Sequence, residues 1–259
     1  MRKSVSRIGS FANCPYKFKL HYLDELKTIP PQNADNALYL GVAIHEAFET
    51  GSVERAIESY RSNFNILTDL HINEEIKLEK LIPKVLAILP PAECEVEIGV
   101  KDEFIGFIDR LEHLYTDEKG IKHYAIWDYK YSNNVEHYME SPQLHVYKYY
   151  FELTHPNTVV DELKYVFIPK TKIRQKKTET IIQFRQRLIE TLEKLEPSVV
   201  KVEFDMEMVT QFLQCCQQLD KVKYFPKNRT KLCDWCEFQK YCESNGEIDY
   251  MIIEQNAQK

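Results

Sequence analysis

Phe104-Ile105-Gly106-Phe107-Ile108-Asp109 and, beyond a turn, Ala125-Ile126-Trp127-Asp128-Tyr129-Lys130 decide how this chain is to be folded. Both runs are rich in β-branched and aromatic residues. The segment between them, Thr116 to Ile121, carries the turn formers Asp117 and Gly120, so Phe104–Tyr115 and Lys122–Lys130 read as a β-hairpin. Residues two apart on a strand face the same way, which sets the Asp128 carboxylate beside the Lys130 ammonium. If Tyr115 pairs with Lys122 across the turn, Asp109 falls directly opposite Asp128. Carboxylates on Cβ atoms about 5 Å apart repel unless something lies between them, and a divalent cation is the natural occupant. Carboxylate oxygens suit Mg²⁺, which keeps several waters, and a neighbouring lysine stabilises negative charge developing on a phosphate. A blander reading pairs Asp109 with Arg110 or Lys130 on a solvated face. Against it, both aspartates end apolar runs, where a buried strand meets a cleft.

Working outward, Asn36–Glu49 has the mixed three-and-four apolar spacing of a short helix and contains His45. Val53–Leu89 reads as helical, and Glu93–Val100 alternates as a half-buried strand. Downstream, Pro142 opens a helix carrying Leu144, Val146, Tyr147, Tyr150 and Phe151. Lys164–Ile168 is a strand, and Glu179–Leu195 and Met206–Val222 are helices. The expected architecture is α/β, a mixed central sheet flanked by helices.

Composition sets bounds on function. No apolar run approaches the roughly 18 residues that span a bilayer. The first ten residues carry basic side chains with no apolar stretch behind them, so a cytoplasmic protein is expected. A net charge of −6 makes any nucleic-acid contact local. No Gly-x4-Gly-Lys-Ser/Thr occurs, which assigns any helicase motor to a separate protein. Seven cysteines, an odd number, point to reduced thiols rather than a disulfide framework. Cys233-x2-Cys236-x5-Cys242 gathers three within ten residues, and Cys14 near the other terminus offers a fourth. Four thiolates suit tetrahedral Zn²⁺ or an iron–sulfur cluster, and spacing does not choose between them. Basic residues concentrate in two runs, Lys170, Lys172, Arg174, Lys176, Lys177 and Lys221, Lys223, Lys227, Arg229, Lys231. The second interleaves Tyr224 and Phe225 and leads to Trp235 and Phe238, aromatics able to stack on unpaired bases, although either run alone also reads as a solvated loop.

With His45, Asp109, Asp128-x-Lys130 and Gln143-x3-Tyr147 in this order, the chain resembles the RecB-like branch of the PD-(D/E)XK nuclease superfamily. Cys14 before the core and Cys233, Cys236 and Cys242 after it resemble the branch that includes the AddB nuclease domain and CRISPR-associated RecB-like exonucleases. The resemblance runs from Ser6 to Cys242. It implies one domain, 1–259, with a restriction-endonuclease-like αβββαβ core at 36–170 and a helical insertion about 53–90. Segments 1–35 and 171–259 would form an iron–sulfur cluster and helical cap.

It further implies that His45, Asp109, Asp128 and the Tyr129 carbonyl bind Mg²⁺ or Mn²⁺, with Lys130 catalytic and Gln143 and Tyr147 supporting the site or touching DNA. An acidic residue from the preceding strand, Glu95 or Glu97, would join them in some relatives. Cys14, Cys233, Cys236 and Cys242 would hold a [4Fe–4S] cluster. The function so implied is a metal-dependent exonuclease on single-stranded or frayed-end DNA, 5′ to 3′. Its setting would be recombination, repair, phage replication or CRISPR adaptation, with a helicase, recombination or adaptation protein as partner. The alternative is an iron–sulfur DNA-binding or scaffold protein without catalysis, and a third reading is a zinc-stapled protein of other ancestry.

Overall fold

The computed structural model describes residues 1–247 and the backbone of 252–254. The part of the expected cap at 248–251 and 255–259 lies outside the described residues. The chain runs α1 (Val5–Asn13), α2 (Pro15–Phe18), a π-helical turn (Lys19–Leu23), β1 (Leu26–Thr28), α3 (Ala37–Thr50), α4 (Val53–Arg61) and α5 (Asp69–Leu86). Then follow β2 (Glu93–Val100), β3 (Phe104–Thr116), β4 (Lys122–Tyr131), α6 (Val135–Met139), α7 (Gln143–Thr154) and β5 (Thr158–Ile168). α8 (Ile181–Glu193), β6 (Ser198–Val202), α9 (Met206–Lys221), a 3₁₀ turn (Lys231–Trp235), α10 (Gln239–Glu243) and β7 (Ile252–Glu254) complete it. No helix among the described residues is long and apolar enough to cross a membrane.

Two compact units form. One gathers 1–31, 100–106 and 206–259, and the other 32–99 and 107–205. The second is built on a five-stranded sheet in the order β2-β3-β4-β5-β6. β3 and β4 pair antiparallel, β4 and β5 parallel, β5 and β6 antiparallel, so the sheet is mixed as expected. The parallel pair needs a crossover, and α6 and α7 supply it. Period-two alternation then divides β4. Ala125, Trp127 and Tyr129 enter one core with α3, α4, α5 and α8, while Asp128 and Lys130 point the other way, to Gln143 on α7.

In the first unit α1 packs on α9, and Phe11, Phe18 and Phe225 share ring contacts. Leu20, Leu26 and Phe238 make a second small core, and β1 pairs with β7.

Three expectations change. Val53–Leu89 is two helices, α4 and α5. β5 starts at Thr158 rather than Lys164, its run broken in sequence by Asp161 and Glu162. β6 is unanticipated, a short edge strand carrying Lys201, of the charged kind that blunts sheet edges.

The turn pairing is also corrected. Tyr115 sits opposite His123 and Thr116 opposite Lys122. A bulge between His113 and Tyr115 then shifts the register back, so Arg110 faces Trp127, the alignment the incorrect turn pairing had implied for the far end.

Candidate active site

α3 delivers the first side chain. Asn36 caps its start, its Oδ1 accepting the Leu38 N–H at 2.9 Å, and Gly51 ends it at φ 71°, a left-handed position natural to glycine. Ala43, Ile44, Ala47 and Phe48 bury the helix in the core and leave His45 on the rim. His45 Nδ1 lies 3.6 Å from Asp109 Oδ1 and 3.8 Å from Glu95 Oε1. One ligating atom from each of the three lies within 4.8 Å of the others. Of the two glutamates left open by the sequence, Glu95 is the one brought here. It stands in β2 at φ 51°, a left-handed conformation unusual for a non-glycine residue.

Asp109 is buried, and the ladder pair beside it in the hairpin is Arg110 with Trp127. The Tyr129 N–H instead donates to Asp109 Oδ2 at 2.9 Å. Burial, reinforced by the neighbouring Asp128 carboxylate, pushes the Asp109 carboxyl well above its ordinary range. Burial also pushes the His45 imidazole below its usual value, leaving it neutral and a better ligand. Crowded carboxylates and a neutral imidazole are a donor set that suits a divalent cation.

Asp128 stands outside the His45, Glu95 and Asp109 trio. Its Oδ2 is 2.5 Å from Lys130 Nζ, and its Oδ1 accepts from Gln143 Nε2 at 2.7 Å. Lys130 Nζ donates to Gln143 Oε1 at 3.1 Å, so one amide holds the carboxylate and the ammonium together. Gln143 Nε2 is also 3.5 Å from the Tyr147 hydroxyl, a phenol that burial pushes up to about 12. The i, i+4 spacing of Gln143 and Tyr147 on α7 therefore faces the site.

Sequence reading missed two supports. The Lys130 ammonium lies 5.4 and 5.7 Å from the ring centres of Tyr138 and Tyr165. Tyr165 is the β5 residue level with Asp128, a neighbour visible only once the parallel register is known. Arg110 is buried and donates to the Tyr129 hydroxyl at 2.5 Å, to the Phe48 carbonyl at 2.8 Å and to the Pro90 carbonyl. Phe48 belongs to α3, and Tyr129 meets the His45 ring edge-on at 5.7 Å, so this one guanidinium ties the helix carrying His45 to β3 and β4.

A model of the PD-(D/E)XK nuclease superfamily matches residues 2–243. The chain belongs to the PD-(D/E)XK nuclease superfamily. PD-(D/E)XK nucleases use divalent metals, and the trio of His45, Glu95 and Asp109 is a site where such an ion can bind. Among solved structures, the crystal structure of SSO0001 aligns over 94% of this PD-(D/E)XK chain and 86% of its own, at 13% identity and a TM-score of 0.38. No curated protein matches the chain.

In the first unit of this PD-(D/E)XK nuclease, Cys14, Cys233, Cys236 and Cys242 all line one cavity of about 400 Å³. All seven cysteines are free, and Cys94, Cys215 and Cys216 do not line it. The Asn228 and Thr230 N–H groups lie 3.5 Å from the Cys14 and Cys233 sulfurs. Lys227, counted among the basic run, is turned inward, its Nζ donating to the Cys242 carbonyl at 2.5 Å and to Asn245 Oδ1 at 2.7 Å.

Proposed function

We propose that the chain is a Mg²⁺- or Mn²⁺-dependent exonuclease that hydrolyses the phosphodiesters of single-stranded or frayed-end DNA. The observation that carries this is the meeting of His45, Glu95 and Asp109 beside the Asp128, Lys130 and Gln143 network. The metal would be held by His45, Glu95 and Asp109, with Asp128 and the Tyr129 carbonyl completing the set. When bound, it supplies Lewis-acid neutralisation of phosphate charge. Lys130 carries three N–H donors. One is directed at Gln143 and the ammonium is ion-paired with Asp128, which leaves an N–H for a phosphate oxygen or the attacking water. Gln143 fixes that direction, and Tyr147 backs Gln143. Attack from 5′ to 3′, and work alongside a helicase, recombination or CRISPR adaptation protein, rest on the resemblance to RecB-like exonucleases.

The same proposal gives Cys14, Cys233, Cys236 and Cys242 a [4Fe–4S] cluster. Around tetrahedral zinc, with Zn–S near 2.3 Å, sulfurs stand about 3.8 Å apart. Among the described residues, the set of three or more ligating atoms within 4.8 Å is His45, Glu95 and Asp109, and the four thiols are not such a set. The four thiols line one cavity of about 400 Å³, and the choice of the cuboidal group rests on the resemblance to iron–sulfur nucleases.

The test is degradation of end-labelled single-stranded DNA with Mg²⁺ or Mn²⁺, comparing anaerobically purified wild type with Lys130→Ala. Metal-dependent shortening lost in the variant is the expected result, with the surviving label reporting polarity. Equal behaviour of the two proteins would overturn the catalytic assignment and favour a DNA-binding scaffold. Iron and acid-labile sulfide are measured on the same preparation, and a colourless, iron-free protein with full zinc occupancy would overturn the cluster.

A further inference from the structure

Trp235 is 81% exposed and Leu232 61% exposed. Both sit on the 3₁₀ turn Lys231–Trp235, where side chains three apart eclipse, so they present one apolar face to water. The chain has two tryptophans, and the other, Trp127, is 6% exposed in the sheet core. Of the other aromatics of this run, Phe238 is in the core with Leu20 and Leu26, Phe225 is half-buried and stacks on Phe18 with ring centres 6.1 Å apart, and Tyr224 is exposed. Phe238 cannot meet a base, which corrects the broader stacking expectation.

Arg229, Leu232 and Trp235 line the mouth of the same cavity as the four cysteines. Exposed Arg229 and Lys231 flank the apolar face, with exposed Lys221 and Lys223 just before it in sequence. Asp234 is the acidic residue on the same turn, and Glu237 is paired with Lys17 at 2.8 Å. A cationic border in a chain of net charge −6 calls for a polyanion, and a flat exposed indole calls for an aromatic face.

From this we infer that the Leu232 and Trp235 face binds single-stranded nucleic acid, Trp235 stacking on an unpaired base while Arg229 and Lys231 neutralise adjacent phosphates. A paired duplex offers no free base face to Trp235. The inference deepens the nuclease reading, on which it rests for the identity of the polymer, but it concerns binding and is testable without cleavage.

The experiment uses the anaerobically purified full chain without divalent metal and a dye-labelled oligo(dT), read by fluorescence anisotropy. Trp235→Ala is expected to raise the single-strand Kd about 5- to 150-fold, the range for loss of one stacked base. Trp235→Phe is expected to recover most of the affinity, and a blunt duplex of equal length to change less than about twofold. In wild type, oligo(dT) is expected to quench tryptophan emission, and in Trp235→Phe, which leaves only buried Trp127, the quenching is lost. An Arg229→Glu, Lys231→Glu pair is expected to flatten the salt dependence by about 1.4 in log–log slope.

An unchanged single-strand Kd in Trp235→Ala would overturn the inference, as would equal weakening for duplex and single strand. So would self-association of wild type that disappears in Trp235→Ala with DNA binding intact, which would make the face a contact between copies. Failure here is separable from failure of the nuclease reading. A protein that cleaves but binds independently of Trp235 defeats only the stacking site. One that binds through Trp235 and never cleaves defeats only the catalytic assignment.

Discussion

A glutamate at φ 51° carries backbone strain of about 1 kcal/mol, and strain of this sort collects at working sites. Glu95→Gly is therefore expected to do two opposite things. It relieves the backbone and removes one charge from a crowded carboxylate cluster, raising the metal-free midpoint in urea. It also takes away a ligating oxygen and weakens Mn²⁺ binding about tenfold or more. Loss of both stability and metal affinity would contradict this account of Glu95. Asp109 and His45 give the pH dependence. Folded, metal-free Asp109 keeps its proton to higher pH than the unfolded chain does, so its contribution to stability falls as pH rises out of the ordinary carboxylate range. His45 has a lowered folded value, so its contribution is lost as pH falls through about 6.5. A cation needs both deprotonated. Metal affinity should rise with pH, and calorimetric titration in two buffers of different ionisation enthalpy should show protons released on binding, fewer in Asp109→Asn. Asp109, Asp128 and Lys130 were legible in the sequence because apolar alternation points to them. Glu95 was legible only as one of two candidates with Glu97, because a left-handed residue inside a strand leaves no mark on hydrophobic periodicity that would tell them apart.

At the scale of elements, the β3 and β4 hairpin shows how a correct alignment can come from a wrong turn. The bulge after His113 absorbs the one-residue offset of the true turn, so the strand faces agree at Arg110 and Trp127. Pattern alone locates strands and their faces but not an added residue, since one extra position in an exposed stretch moves nothing apolar to the wrong side. β6 and the early start of β5 were missed for a related reason: edge positions tolerate charge and so look like loop. The tie that matters most between elements is Arg110. Arg110→Met would leave the Phe48 and Pro90 carbonyls and the Tyr129 hydroxyl short of a buried donor, costing about 2–4 kcal/mol in urea unfolding. Freed of that tie, α3 should hold His45 less firmly, so the Mn²⁺ concentration for half-maximal activity should rise by more than the maximal rate falls. A pure rate defect with unchanged Mn²⁺ dependence would show that Arg110 acts elsewhere.

For the whole molecule, the decisive fact is that residues 1–31 and 206–247 enter one unit while most of the chain between them makes the other. Cysteine spacing made three of the four cavity thiols legible, the sequence offered Cys14 as the fourth, and the fold brings it to the same cavity. A shared group bridging Cys14 and Cys233 closes a loop of more than two hundred residues, worth on the order of 5 kcal/mol in the chain-entropy picture. Cys14→Ser is expected to lower iron content and to open 1–31 and 206–247 to protease first. The second unit, holding its own core, should still bind Mn²⁺; simultaneous loss of both would show that the units do not stand independently.

This interleaving also sets a clock. A ribosome adding roughly 5–20 residues each second reaches Cys233 roughly 10–45 s after it has made Cys14. Throughout that interval the first thiol waits without its three companions, while the sheet that carries Asp109 and Lys130, with α3 and its His45 against it, can already close. The cysteine cavity is thus finished after the sheet, and oxidation of a solitary Cys14 during the wait would leave a complete sheet attached to a unit that cannot be assembled.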